Sequence, residues 1–497
     1  MYLIKPQDHT RRAFLRRSAQ LAFTGAALPT AINLAAMGEA AAFNATDYKA
    51  LVCVFLNGGN DNWNTVVPYD NTSYDQYSRV RGGGSGRTAG GVALGQASLA
   101  NTLLTTRPES PLPGGRQFAL HPSMTGLKGL FNLGKAAIQL NVGPLVVPVT
   151  KTQYEGVNRA LYPIPPKLFS HNDQQSVWQS SSPEGSTIGW GGNIGDLALS
   201  SNGTGALFTC MSVTGNAVFL SGDNALAYQI STGGAVKINS ITNNVFGSSA
   251  VKDAMLSLVQ QTRSEPLENE YNRVTQRSIA AEGNVNSGIG PTAEAARLNT
   301  GTFAPFANLT QGNQLAAQLK MVARLIAART SLSTKRQVFF VSLGGFDLHD
   351  NLLAGHTTNM TRVSEAMTAF YQTTANLNIA NEVTAFTASD FGRTLTSNGD
   401  GSDHGWGNHH FVVGGAVKGA AFYGAPPPIS VADGSAAEDQ WHVGQGRLLP
   451  SASVDQYAAT LASWFGVAPT ELEGILPNLR NFGLPNAVDY PINLGFL

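Results

Sequence analysis

RQVFFVSLGGFDLH, Arg336 to His349, sets a β-branched and aromatic run directly before a short polar block. The run Arg336 to Leu343 reads as a buried strand. The pattern recurs where NEVTAFTA, Asn381 to Ala388, enters SDFGRT, Ser389 to Thr394, and where Ala50 to Leu56 enters NGGNDNWNT. Strand-like runs of this kind alternating with helical segments imply an α/β chain with a doubly wound, mostly parallel sheet flanked by helices. Ligands of such open sheets bind beyond the carboxyl ends of the strands. Asp347, His349 and Asp390 are therefore expected in one crevice. Asp347 and His349 lie two apart, so on an extended chain they share a face.

Working outward, the spacing predicts a helix over His121 to Leu133 and a strand over Ala136 to Gly143. Further strands are expected at Ala206 to Val213 and Ala217 to Leu220. Ser249 to Ala281 favours helix, and Glu282 to Thr302, rich in Gly, Asn and Thr, reads as a surface excursion. Gln311 to Arg329 is amphipathic, with Leu315, Leu319, Val322 and Leu325 on one stripe, and Val454 to Phe465 forms a last helix. One domain over residues 43–497 is expected.

Charged residues make up 13% of the 497, against an ordinary value of about 25%. Such a weakly charged chain with no Lys/Arg stripe is not expected to bind nucleic acid. Residues 1–42 hold TRRAFLR (Thr10 to Arg16), an apolar stretch from Leu21 to Met37, and Ala40-Ala41-Ala42. They resemble a twin-arginine signal peptide. That implies the twin-arginine translocase as a partner during export, a periplasmic or secreted destination, and no stable membrane span in the mature chain. Cys53 and Cys210 lie in apolar runs and are expected to pack as small hydrophobes.

The block DHGWGNHH, Asp403 to His410, adds imidazoles. His404 follows a turn-rich loop that lets it bend over the crevice. His409 and His410 are adjacent, so in a strand at most one reaches it. Oxygen and imidazole donors together suit zinc, manganese or magnesium. Gly58 and Gly59 permit positive φ and a close backbone approach to an anion. In FSHNDQQ, Ser170 is expected to cap a helix, with Asp173 resembling a capping box, which would aim Ser170 or His171 into the site.

The order LNGGNDNWNTVVPY, HPSMTGLKGLF, FSHNDQQSVWQ, GGFDLH, SDFGRT, DHGWGNHHFVVGGAVKGA and GRLLPSASVDQYAATLASWFGV resembles an exported bacterial family called domain of unknown function 1501. That family is similar to the alkaline phosphatase and sulfatase superfamily. The resemblance implies a metal-dependent hydrolase of phosphate or sulfate esters, holding one or two such divalent ions and acting on a small or polysaccharide-linked ester. Its metal ligands would be Asp61 at the first strand, Asp347 with His349, Asp390, and the late histidine His404. Asp390 is followed by Phe391 where the superfamily pairs Asp with His, which removes a ligand. Thr65, Ser170 and Thr187 stay open as the nucleophile, His171 is a further catalytic candidate, and Arg393 would clamp non-bridging oxygens. The alternative is a non-catalytic exported relative that binds a surface polysaccharide or a partner protein. Trp63, Trp178, Trp190, Trp406 and Trp441 would then serve for sugar stacking.

Overall fold

Side chains alternate across a strand, and β1 shows what that does here. Ala50, Val52, Val54 and Leu56 enter one apolar core, while Leu51, Cys53 and Phe55 enter a second. A strand buried on both sides needs a layer on each, which is the three-layer α/β arrangement. The computed structural model describes residues 45–84, 90–235, 239–299, 301–483 and 490–497; the paired-arginine leader lies outside them.

The strands, in chain order, are β1 Lys49–Leu56, β2 Val66–Pro68, β3 Phe118–Leu120, β4 Ala136–Gly143, β5 Cys210–Ser212, β6 Tyr228–Gln229, β7 Arg336–Leu343, β8 Val383–Ser389, β9 Asn408–Gly414, β10 Phe422–Tyr423 and β11 Ala452–Ser453. Nine of them form one sheet in the order β10-β4-β9-β8-β1-β7-β5-β6, with β11 also on β4. It is mixed and mostly parallel: β9 runs antiparallel to both β4 and β8. β2 and β3 pair separately.

The helices Gln314–Ala327 and Leu352–Asn376 cover the first core, inserting Leu319, Val322, Val363 and Phe370. Trp190–Asn202 and Val454–Phe465 cover the second with Ile194, Tyr457 and Leu461. The Val454–Phe465 helix begins where expected because Ser453 and Gln456 form a reciprocal capping box, but it is not the last: Pro469–Ile475 follows it. Asn313 caps the Gln314 helix, so it starts three residues later than the apolar stripe implied. Cys53 and Cys210 are both buried free thiols packed in the second core.

Several expected elements differ. His121 to Met124 is a turn, with the His121 ring accepting from Ser123 N–H, and the helix begins only at Thr125. Within Ala206 to Val213, a 3-10 turn precedes the three-residue β5. Val218–Leu220 is a 3-10 turn because β6 already occupies the outer edge of β5. Pro266 divides the helical region into Ser249–Gln260 and Pro266–Ile289. Glu282 to Thr302 is no bare excursion: the second helix continues to Ile289, burying Val285 and Ile289 in the first core, and a further helix, Pro291–Arg297, follows it. Among the described residues, no helix is long and apolar enough to cross a membrane.

Candidate metal centre

β1, β7 and β8 end level, Leu56 lying opposite both Leu343 and Ser389. Their exits therefore meet at one edge. Gly58 follows β1, Asp347 and His349 follow β7, and Asp390 is the first residue after β8. The loop before β9 brings His404 to the same place, and His171 arrives as the first residue of the helix His171–Ser180.

Three ring nitrogens and one carboxylate converge there. His404 Nε2 lies 2.9 Å from His349 Nε2 and 3.3 Å from Asp347 Oδ1. His349 Nε2 is 3.0 Å from the same oxygen, and His171 Nε2 is 3.3 Å from Asp347 Oδ2 without making a hydrogen bond to it. Candidate ligand atoms of His171, Asp347 and His404 all fall within 4.8 Å of one another. Asp347 and His349 are nearly half exposed, at 45% and 44% of their side-chain surface, so the cluster opens to solvent.

The far nitrogen of each ring decides what the near one offers. His404 Nδ1 sits 2.6 Å from the Phe169 carbonyl oxygen, which can only accept, so Nδ1 donates. His171 Nδ1 lies 2.7 Å from Asp390 Oδ2, and His349 Nδ1 lies 3.3 Å from Asp403 Oδ1. With their protons on Nδ1, neutral His171 and His404 turn bare Nε2 lone pairs toward Asp347, whereas His349 has an acceptor within reach of either ring nitrogen. This is how carboxylates and carbonyls prepare metal-binding histidines.

The donor types, imidazole nitrogen and carboxylate oxygen, are ones a divalent ion takes. Two donors about 2.0–2.1 Å from a common ion lie about 3.3 Å apart in a tetrahedron and about 2.9 Å apart in an octahedron. The four contacts of 2.9 to 3.3 Å have such lengths, three of them to or from Asp347 Oδ1 or His404 and one to Asp347 Oδ2. His349 and His404, 2.9 Å apart at Nε2, share a hydrogen bond when either nitrogen carries the proton.

Local charge is set by Arg393, which is buried at 1% exposure. Its Nη1 donates to Asp347 Oδ1 at 2.8 Å, and its other donors go to Ser402 and the Gly58 carbonyl. Burial works to raise the Asp347 carboxyl, but the Arg393 hydrogen bond and charge, helped by His171 and His349, outweigh it and hold the group below the usual range. The hydrogen bond to Asp390 raises His171 against the opposing effect of burial. Burial lowers His404.

The other expected site residues lie elsewhere or are engaged. Asp61 is 1% exposed, caps the short helix after it through Trp63 N–H, and is ion-paired with buried Arg81 at 2.5 Å. Thr65 Oγ1 donates to the Asp61 carbonyl at 2.7 Å and accepts from Asn60. Ser170 sits at the helix N-cap, yet its hydroxyl donates to Asp173 Oδ2 instead of accepting a backbone N–H, so no capping box forms. Asp390 is fully buried, and its Oδ2 also accepts from Gln175 and Gly58 N–H. Arg393 cannot clamp a substrate oxygen, since Asp347, Ser402 and Gly58 hold it below the surface. Neither His409 nor His410 joins the cluster: His409 accepts from Asn141 N–H, and His410 packs edge-on against Trp178. Trp63, Trp178, Trp190 and Trp406 are buried, which leaves only Trp441 of the five part-exposed for stacking.

Sequence reasoning left out Asp403, Gln175 and the Phe169 carbonyl. Asp403 was legible, as the neighbour of His404 in a polar block. The Phe169 carbonyl was not, because its direction depends on a positive φ of 73° at a residue type that seldom adopts one.

No curated protein matches this chain. Residues 48–445 match the family described as Protein of unknown function (DUF1501), and since that span is most of the chain, the protein belongs to this family.

Proposed function

We propose that the protein is an exported metal-dependent hydrolase of phosphate or sulfate esters, with its ion held by His171, His349, His404 and Asp347. One observation carries the reading: the Nε2 atoms of His171, His349 and His404 gather at the Asp347 carboxylate, while the Nδ1 atoms of His171 and His404 are held by Asp390 and the Phe169 carbonyl. A divalent ion bound there would polarise the ester and lower the pKa of an attacking water. The resemblance to the phosphatase and sulfatase superfamily supports this substrate class. The paired-arginine leader supports export.

The chain's own groups supply position and access. Arg393 holds Asp347 in place from below, and the exposed faces of Asp347 and His349 leave the site open to a substrate. Thr65 and Ser170 have their hydroxyls engaged, so the reading takes water as the attacking group rather than a covalent hydroxyl nucleophile.

The test is hydrolysis of p-nitrophenyl phosphate and p-nitrophenyl sulfate by the purified protein, before and after chelation. Activity should vanish with chelator, return with zinc or manganese, and fall to background in His404→Ala. Ser170→Ala and Thr65→Val should retain it. Activity untouched by chelator, or abolished by Ser170→Ala alone with metal still bound, would overturn this mechanism.

A further inference from the structure

We infer that Asp390 is a positioning residue that fixes the tautomer of His171 through its Oδ2; this rests on the cluster being a metal site. Asp390 is 0% exposed. Three donors meet its Oδ2: His171 Nδ1 at 2.7 Å, Gln175 Nε2 at 2.9 Å and Gly58 N at 3.1 Å. An amide nitrogen and a backbone N–H can only donate, so Oδ2 is the unprotonated oxygen. Oδ1 is buried without a partner. Asp390 therefore accepts, His171 Nδ1 donates, and the lone pair of His171 lies on Nε2, facing Asp347.

The ring has little freedom to turn away. It packs against Phe391, with centroids 4.9 Å apart, and His404, at 4.4 Å, and those two rings also meet each other at 4.5 Å. Phe391 in turn packs over Gly59, where an added Cβ would stand 2.4 Å from its ring.

This arrangement makes the Asn variant informative. In Asp390→Asn the amide oxygen should take the Oδ2 place, because Gly58 N–H and Gln175 still point at it, and His171 keeps its proton on Nδ1. Asp390→Ala removes the acceptor and frees the ring to carry its proton on Nε2. The experiment is 15N NMR of histidine-labelled, metal-free protein at alkaline pH, followed by zinc titration against a competing chelator. Wild type and Asp390→Asn should both show His171 protonated at Nδ1, with zinc affinities within about tenfold of each other, while Asp390→Ala loses affinity by about 100-fold. A wild-type His171 protonated at Nε2, or an Asn variant as weak as the Ala variant, would overturn the proposal. The wild-type tautomer and the Asn variant decide this even where the Ala variant fails to fold. Zinc bound by none of the three, with Nδ1 protonated, would instead remove the metal reading and leave Asp390's hold on the ring standing.

Discussion

Gly58 shows how closely the candidate site is built. Its φ is +113°, and an added Cβ would stand 2.5 Å from the backbone nitrogen of Asp347. The glycine pair was read from the sequence as an approach to an anion. Its amide does meet a negative charge, but the carboxylate belongs to Asp390 in the same chain. That partner lies 332 residues away, and no local pattern announces it. Asp61 failed as a ligand for a related reason: the strand-end position was legible, but the buried Arg81 that claims it comes from a neighbouring helix. Gly58→Ala should cost about 1–3 kcal/mol of stability from strain at a positive-φ position. It should also displace Asp347, so that zinc affinity falls more than stability alone explains. Urea unfolding beside zinc titration reads both, and an Ala variant with wild-type affinity would show that the contact does not position the ligand.

Strands and helices differ in how much of their environment the sequence carried. β1 is apolar after Lys49, and β7 and β8 are apolar and β-branched or aromatic at most positions, a composition that burial on two faces leaves few alternatives. The short β5 and the Val218–Leu220 turn were misread because a run of three or four apolar residues becomes a strand only where a neighbouring edge is open. The helix Ser249–Gln260 is the opposite case, a sound helical pattern with no fully buried residue. Leu352–Asn376 packs Met360, Val363, Met367 and Phe370 into the first core. Helix stability in proteins comes mainly from such packing. Amide hydrogen exchange should therefore be orders of magnitude faster across Ser249–Gln260 than across the middle of Leu352–Asn376. Equal protection would mean that the outer helix is held by contacts not accounted for.

Over the whole molecule, buried titratable groups set a pH dependence. Burial pushes His121, His356 and His410 down to about 3 and His409 to about 4, from an unfolded value near 6.5. The native chain keeps these rings neutral while the unfolded chain takes up protons. Their stabilisation is complete above pH 6.5 and is lost as pH falls, by up to about 1.4 kcal/mol per pH unit for each ring. Asp455 opposes them: burial raises it to about 6, so between pH 4 and 6 the native state binds the extra proton and acid favours folding. Four rings outweigh one carboxyl. The unfolding midpoint in urea should drop between pH 6.5 and 4, and Asp455→Asn should steepen that drop; a midpoint flat across the window would contradict this account of the buried histidines. If His171, His349, His404 and Asp347 hold a divalent ion as proposed, elemental analysis of protein purified without chelator should find about one zinc or manganese ion per chain, lost from an Asp347→Ala/His404→Ala variant that remains folded. Wild-type protein that carries no metal and takes up none on titration would rule the metal centre out.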